Sequence, residues 1–241
     1  MKVLAPALTI VMVSHVRPPL LDAAIQSVLH QTRKDFELIV ADSGAWHSLR
    51  DQADHDMDML YGRYMVHPQV TWLTTGELPN PEARYCPFTK AINNVVRAGL
   101  IRSRYMCIFS DDDLYHPQFV ERTVGLLDAE GASAVIVGQK RSALWADGRT
   151  EERPSLVPSA KNPGDNWDCL VDGNQVVLRT SLLDKIGDPW WPEDAEFTTC
   201  NHADGIFFNK MAQYAGHVPV IPDLLEEHRF TWLSTYTPAG A

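Results

Sequence analysis

Short apolar runs alternate with segments of helical periodicity along the first half of the chain. The first run is apolar apart from one threonine, which is typical of a strand buried on both faces of a sheet. Runs of strand length occur at Ala7–Val13, Phe36–Val40, Val70–Thr74, Tyr105–Phe109 and Ala134–Gly138. Apolar residues recur at helical spacing at Pro18–Gln31, Lys90–Ile101 and Pro117–Glu130. This alternation predicts an α/β fold with a mostly parallel sheet and helices on both of its faces.

The second half of the chain has a weaker pattern. Ala146–Trp167 is polar, contains several prolines and glycines, and lacks periodicity, which predicts a long loop of the kind that often forms an active-site lid. Short elements are predicted at Gln175–Leu178, Ser181–Ile186, Ala203–Ala215 and Val218–Ile221, followed by a tail at Thr231–Ala241.

Length and charge restrict the class of protein. The chain has 241 residues, which suits a single domain with a large core. Lys and Arg number 21 against 31 Asp and Glu, so the net charge is −10. An acidic surface repels phosphate backbones and anionic lipid, so we expect neither a nucleic acid nor a membrane surface as partner. We also expect no membrane span, because no apolar run in the sequence approaches roughly 20 residues.

The four cysteines indicate a reducing compartment. Cys86, Cys107, Cys169 and Cys200 contain no C-x-x-C pair, so a thiolate zinc site is not expected. We interpret the thiols as reduced, in a cytoplasmic protein, and Cys107 as a core thiol because it lies in an apolar run.

Polar residues follow three of the predicted strands. Ser14 and Arg17 come after the first strand, Asp42 after the second, and Ser110 with the consecutive aspartates Asp111–Asp113 after the fourth. Ligands of open α/β sheets bind beyond the carboxyl ends of the strands, so these residues predict a binding site. The site is not that of a common dinucleotide-binding protein, because the sequence has no G-x-G-x-x-G motif.

The consecutive aspartates are the sharpest chemical signal in the sequence. Adjacent carboxylates repel one another and resist burial, and a hard divalent cation relieves both costs. The alternative is capping of the helix predicted from Pro117, for which one carboxylate would be enough. His228, which lies beside Glu226 and Glu227, is either a further metal ligand or part of a solvated turn.

Two segments resemble the family 2 glycosyltransferases, which have the GT-A fold. The opening of these enzymes is similar to Val11–Gly44, V-M-V-S-H-V-R-P-P-L-L-D-A-A-I-Q-S-V-L-H-Q-T-R-K-D-F-E-L-I-V-A-D-S-G. Their D-x-D region is similar to Tyr105–Pro117, Y-M-C-I-F-S-D-D-D-L-Y-H-P. The resemblance is strongest to the spore-coat polysaccharide glycosyltransferase type and extends over most of the chain.

The resemblance implies a nucleotide-diphosphate-sugar donor, usually a UDP-sugar, and a divalent metal, Mn²⁺ or Mg²⁺. Asp42 and Ser14 match residues that contact the nucleotide base, Asp111 matches a carboxylate near the ribose, and Asp112 matches the metal ligand. The residues expected to bind the donor are Ser14, Arg17, Asp42, Arg84, Lys90, Asp111 and Asp112, and those expected at the metal are Asp112, Asp113 and His228. For Arg84 and Lys90 a solvated surface charge is the open alternative.

A carboxylate at the start of a late helix is the expected general base. The family segment resembles His202–Met211, H-A-D-G-I-F-F-N-K-M, so Asp204 matches the base. We expect the helix N-terminus to lower the pKa of Asp204. Glu193 and Asp194 are the rival carboxylates.

Acceptor contacts are expected from Trp190, Trp191 and Asp194. The two tryptophans have an alternative interpretation as core aromatics.

The sequence therefore predicts an inverting, metal-dependent glycosyltransferase of the hexosyltransferase type. One GT-A domain is expected over residues 1–241, with a nucleotide-sugar-binding half at about 7–140, an acceptor-binding half at about 141–230 and a tail at 231–241. The alternatives are a sugar-nucleotide pyrophosphorylase, disfavoured because Ser14–Leu20 has no glycine, and an inactive nucleotide-sugar-binding module. The sequence identifies neither the sugar, the acceptor nor the oligomeric state.

Overall fold

The computed structural model describes residues 5–14, 17–42, 52–74, 87–145, 147–168, 170–193 and 203–231. The elements are β1 Leu8–Ser14, α1 Pro18–Leu29, β2 Phe36–Asp42, α2 Gln52–Tyr64, β3 Val70–Thr74, α3 Pro87–Arg97, β4 Tyr105–Ser110, β5 Leu114–Tyr115, α4 Phe119–Glu130, β6 Ala134–Leu144, β7 Thr150–Leu156, β8 Val176–Arg179, α5 Ser181–Ile186, α6 Ala203–Ala215 and β9 Val220–Thr231. A short 3₁₀ turn, Gly173–Gln175, precedes β8.

The first half of the chain forms a parallel sheet in the order β3-β2-β1-β4. Ser14 is opposite Asp42 in the register of β1 and β2, and Val13 is opposite Ser110 in that of β1 and β4. The carboxyl ends of these three strands therefore lie side by side, as the sequence predicts for a binding edge.

The second half extends the same sheet with mixed strand directions. Strand β8 is antiparallel to β4 and to β6, whereas β6 and β9 run parallel. The two-residue strand β5, which closely follows β4, pairs with β9. This pairing brings β9 near the carboxyl end of β4. The predicted parallel order thus applies to the first half and not to the whole sheet.

Two apolar cores lie on opposite faces of the sheet. Because successive side chains of a strand point to opposite faces, Leu8, Ile10 and Met12 of β1 enter one core and Val11 enters the other. Residues of α1, α2 and α4 complete the first core, and residues of α3, α5 and α6 complete the second. Among the residues that the structure describes, no helix combines the length and the apolar character needed to cross a bilayer.

The prediction of one long loop at Ala146–Trp167 is wrong for its first part. Strand β6 continues to Leu144, and β7 returns antiparallel to it, pairing Leu144 with Thr150 and Ser142 with Glu152. Strand β7 is exposed along nearly its whole length, so it has neither an apolar face nor the alternation that would reveal it in the sequence.

The last strand is longer than the predicted Val218–Ile221. Strand β9 runs to Thr231, beyond a shift of register next to Gly138. The two backbones approach closely there: a Cβ atom at position 138 would lie 2.6 Å from the carbonyl oxygen of Pro222. Pro222 and the charged residues that follow it are untypical of a strand, so the sequence pattern does not predict this part of β9. Some of these charged residues nevertheless belong to the site.

Candidate active site

Ser14 and Asp42 occupy the ends of β1 and β2, where the sequence predicts contacts with a nucleotide base. Their exposed fractions are 1% and 0%. The hydroxyl oxygen of Ser14 has no hydrogen-bond partner within the described part of the chain. The two side chains therefore present buried polar atoms at one point of the binding edge.

Arg17 connects α1 to the end of β4. Its guanidinium forms ion pairs with both Asp111 and Asp112. The side chain of Asp111 is fully buried, and that of Asp112 is 15% exposed. Asp112, the expected principal metal ligand, therefore has a cation of the protein itself beside it, bound through charge-assisted hydrogen bonds.

Asp113 has a different set of partners, drawn from β9 and from the 3₁₀ turn. The Arg229 amide donates to Oδ1 at 2.7 Å, and the Asn174 side-chain amide donates to Oδ2. Nδ1 of His228 lies 3.1 Å from the same Oδ2. Asp113 does not cap the following helix, because α4 begins after Gln118 and has no side-chain cap hydrogen bond.

Glu226 is the residue that sequence analysis did not assign to the site. It is 1% exposed, and neither of its carboxylate oxygens has a hydrogen-bond partner among the described residues. One ligand atom each from Asp113, Glu226 and His228 lie within 4.8 Å of one another. Carboxylate oxygens with an imidazole nitrogen suit Mn²⁺, and a cation would satisfy the unpartnered oxygens. These residues therefore fit the divalent metal that the sequence predicts.

The protonation states of this cluster follow from its burial. Burial raises the pKa of Asp113 to about 6, although the charge of His228 opposes the rise. Burial is the largest single effect on the pKa of His228 and lowers it, but the charge and hydrogen bond of Asp113 with the charges of Asp172 and Asp112 together outweigh burial and raise the pKa to about 9. Burial and the charge of Asp113 raise the pKa of Glu226 well above its usual range. Without a cation, Asp113 and His228 form an ion pair at neutral pH, and burial disfavours the charged form of Glu226.

Asp204 lies in the first turn of α6, on the other side of the 3₁₀ turn. The Gly173 amide donates to its Oδ2 at 3.1 Å, and its Oδ1 is buried without a hydrogen-bond partner in the residues described. Gly173 is needed at this position, because a Cβ atom there would lie 2.6 Å from Oδ2 of Asp204.

The prediction that the helix N-terminus lowers the pKa of Asp204 is wrong. Burial raises the pKa to about 7, and the neighbouring charge of Asp172 adds to the effect. The Gly173 amide opposes the rise, and so does the nearby Trp191 indole, which forms no hydrogen bond within the described residues; together they do not cancel it. The cost of burying the charge exceeds the favourable helix dipole, so Asp204 both gains and loses a proton near neutral pH.

A pocket of about 140 Å³ opens beside Asp204. Its charged residues are Asp168, Asp172 and Asp204 with Arg141, and Leu156 at the end of β7 forms an apolar wall. The hairpin of β6 and β7 and the segment that follows it thus contribute to the site, as the predicted lid would.

The other predicted residues are distributed as follows. Trp191 is 1% exposed, and its ring stacks on Phe207 at 3.7 Å between ring centroids, which favours the alternative of a core aromatic. Trp190 is half-buried and donates from its indole to the carbonyl of Leu183 at 2.9 Å. Lys90 lies in the first turn of α3. Arg84, Asp194 and the tail beyond Thr231 lie outside the described residues.

Sequence comparison identifies a relative of the chain but no family. No family model matches the chain. Protein CgeD of Bacillus subtilis (strain 168) is 27% identical over 216 residues, which are 88% of this chain and 47% of CgeD. The chain therefore spans about half the length of that relative.

Solved structures match over nearly the whole chain at low identity. The S. aureus protein TarS has a TM-score of 0.65 at 13% identity, covering 92% of this chain and 36% of TarS. A shorter form of TarS in complex with UDP-GlcNAc has a TM-score of 0.63 at 12% identity, covering 92% of this chain and 58% of that one. The mannosyltransferase PcManGT from Pyrobaculum calidifontis, in complex with GDP-Man and Mn²⁺, has a TM-score of 0.60 at 16% identity, covering 94% and 57%.

The fold of the chain is therefore the GT-A glycosyltransferase fold, and the predicted fold class is confirmed. The residues that the sequence places after β1, β2 and β4 lie at the edge of the sheet where such folds bind their ligands.

Proposed function

We propose that the protein is an inverting glycosyltransferase that moves a hexosyl group from a nucleotide-diphosphate sugar, most simply a UDP-sugar, to an acceptor hydroxyl. One observation carries the proposal: Asp204 has a pKa of about 7, one fixed oxygen and one unpartnered oxygen. It lies across the 3₁₀ turn from the aspartates that follow β4, in a fold shared with glycosyltransferases. A general base is most effective when its pKa is near the working pH.

In this proposal the donor binds at the edge of the sheet formed by the carboxyl ends of β1, β2 and β4, and the acceptor binds beside Asp204. Asp42 and Ser14 bind the nucleotide base, and Arg17 holds Asp111 and Asp112 in place beside the ribose and diphosphate. Two solved structures with this fold contain nucleotide sugars: TarS contains UDP-GlcNAc and PcManGT contains GDP-Man. These complexes support a nucleotide-sugar donor for this chain.

The metal site is proposed on Asp113, Glu226 and His228, with Asp112 beside them. The metal, Mn²⁺ or Mg²⁺, would supply positive charge that stabilises the departing diphosphate. Mn²⁺ is preferred, because the site includes an imidazole nitrogen.

Asp204 takes the proton of the acceptor hydroxyl as the oxygen attacks the anomeric carbon. The Gly173 amide donates to Oδ2 and so fixes the orientation of the carboxylate that receives the proton. A direct attack from the face opposite the diphosphate inverts the anomeric centre. With a pKa of about 7, Asp204 then returns the proton to solvent without a large barrier.

The cysteine spacing supports a cytoplasmic site of action, and Cys107 is a free, buried thiol.

The test is donor binding and slow donor hydrolysis. We expect UDP with Mn²⁺ to raise the melting temperature, and a UDP-sugar to release UDP slowly without acceptor. Asp42→Ala should weaken UDP by about 1–3 kcal/mol, the usual cost of losing a hydrogen bond to a charged group. Asp184→Ala, on the exposed face of α5, is the matched control. Formation of a nucleoside triphosphate from UDP-sugar and pyrophosphate would instead identify a pyrophosphorylase. Unchanged UDP affinity in Asp42→Ala would contradict the proposed binding of the nucleotide base by Asp42.

A further inference from the structure

The pocket beside Asp204 has a charge that restricts what it can hold. Three of its residues are aspartates and one is an arginine, Arg141. Arg141 donates from Nε to the side-chain oxygen of Gln139 at 2.6 Å, so part of its guanidinium is already engaged. With Asp204 ionised, the described residues that line the pocket carry more negative than positive charge.

The carboxylates are held together by close backbone packing. A Cβ atom at Gly205 would lie 2.7 Å from the Cα atom of Asp168, so the absence of a side chain there lets Asp168 approach Asp204. Asp172 is fixed by its own turn, where its Oδ1 accepts from the Asn174 amide at 3.0 Å. Both neighbours of Asp204 in the pocket are therefore positioned by the backbone.

Carboxylates in a partly dehydrated pocket accept hydrogen bonds and attract positive charge. The hydroxyl groups of a sugar or polyol are donors, and an ammonium group is a stronger, charged donor. A phosphate or carboxylate on the ligand would face like charges, which is strongly unfavourable where both are desolvated. The volume of about 140 Å³ lies below the range of drug-sized ligands and suits a single sugar unit.

We propose that this pocket is the subsite for the accepting unit, and that Asp168 and Asp172 select an uncharged or amino-bearing polyhydroxyl unit against one that carries phosphate or carboxylate beside the reacting hydroxyl. This inference rests on the proposed function, because it takes Asp204 as the base. Asp168 and Asp172 act as specificity residues: they accept hydrogen bonds from the groups that flank the reacting hydroxyl, which itself donates to the carboxylate of Asp204.

The experiment measures binding and does not require transfer. Methyl glycosides of glucose, galactose and mannose are each used in three forms: unmodified, with a 2-amino group, and with a 6-phosphate. Their dissociation constants are measured by saturation-transfer NMR in the presence of UDP and Mg²⁺, because Mn²⁺ is paramagnetic and would broaden the ligand signals. For the wild type we expect the amino form to bind at least about tenfold tighter than the phosphate form of the same sugar.

Charge variants show whether the pocket causes that preference. The ratio compared is the dissociation constant of the phosphate form divided by that of the amino form of the same sugar. Asp168→Asn and Asp172→Asn should each reduce this ratio several-fold by removing one negative charge. Asn keeps the size of the side chain and, at position 172, the capping of the turn. Arg141→Gln should increase the ratio. Asp184→Asn removes one charge from the exposed face of α5 and should leave the ratio unchanged.

Three results would overturn the inference. These are phosphate forms that bind as tightly as amino forms, a ratio that Asp168→Asn and Asp172→Asn leave unchanged, and no binding of any glycoside while UDP binds normally. Failure of UDP and Mn²⁺ to bind would count against the proposed function itself, so the two failures are distinguishable.

Discussion

Two aspartates with raised pKa values lie on either side of the turn Gly173–Gln175, and they differ in how their oxygens are used. Asp113 accepts from the side-chain amide of Asn174, the amide of Arg229 and the ring of His228. Asp204 accepts from the Gly173 amide and keeps one oxygen without a partner in the described residues. A carboxylate surrounded by donors supports structure or a cation, whereas one with an unpartnered oxygen and a pKa of about 7 can accept a proton.

The largest effect should come from removing the proton acceptor. Asp204→Asn keeps the size of the side chain but cannot take a proton, so turnover should fall about 10²–10⁴-fold. UDP and Mn²⁺ affinity should change little. The rate is measured as nucleotide release with acceptor present. Glu193→Gln is the control: Glu193 accepts from Asn93 at 2.9 Å, outside the pocket, and the variant should retain most of the activity.

The pH dependence of kcat/KM tests the role of Asp204 in the wild-type protein. The base acts only when ionised, so kcat/KM should fall as the pH drops below about 7, the pKa of Asp204. Asp172→Asn removes a like charge that raises this pKa, so the acidic limb should move to lower pH. A limb that stays in place in Asp172→Asn, or an active Asp204→Asn enzyme, would mean that another carboxylate is the base.

The second effect should appear in stability and only on the Asp113 side. Asp113→Asn places an amide against the donors of Asn174 and His228, and His228, whose side chain is 25% exposed, loses the carboxylate that keeps it charged. Breaking a fully buried ion pair costs about 3–5 kcal/mol, so for this partly exposed pair the free energy of unfolding should fall by at most that amount. Asp204→Asn should cause no such loss, because that site gives up one hydrogen bond and an unfavourable buried charge. Urea unfolding of the two variants at pH 7 measures the difference, and equal losses would remove the distinction between them.

The smallest effect concerns the cation and uses two adjacent glutamates. Glu226 has unpartnered oxygens in the cluster with Asp113, whereas Glu227 accepts from Ser142 at 2.9 Å and lies 3.3 Å from Nζ of Lys140. Glu226→Gln should weaken Mn²⁺ about tenfold, since it removes one charged oxygen ligand. Glu227→Gln should have little effect. Electron paramagnetic resonance of free Mn²⁺, without nucleotide, gives both affinities, and equal affinities would exclude Glu226 as a ligand.

The first half of the molecule could be predicted from the sequence because its signals are local. Buried strands read as apolar runs, and the residues that end them, Ser14, Asp42 and Asp111–Asp113, meet because parallel strands end at one edge. Helix α2 was missed because it is largely polar: its buried residues, Met57, Leu60 and Tyr64, are few although they have helical spacing.

In the second half, β6 and β8 carry buried apolar residues and were predicted, whereas β7 and the charged part of β9 are held by pairing with β6 rather than by an apolar face, so the pattern did not indicate them. A signal for Glu226 was nevertheless present. In a strand, residues two apart point to the same face, so Glu226 and His228 would be expected on one face and Glu227 on the other. That pattern has meaning only once β9 is known to continue to Thr231. The pKa of Asp204 also depends on burial by distant segments, which no local motif reports.

The exposed strand β7 has a consequence for how this protein can change over evolutionary time. It pairs only with β6 among the described strands, is exposed along most of its length, and ends at Leu156 in the wall of the pocket. Substitutions or insertions in this hairpin alter the outline of the pocket while leaving both cores and the aspartates after β4 untouched. Under the proposed function, the preference for one acceptor can thus drift among descendants of this chain while the donor side stays constant.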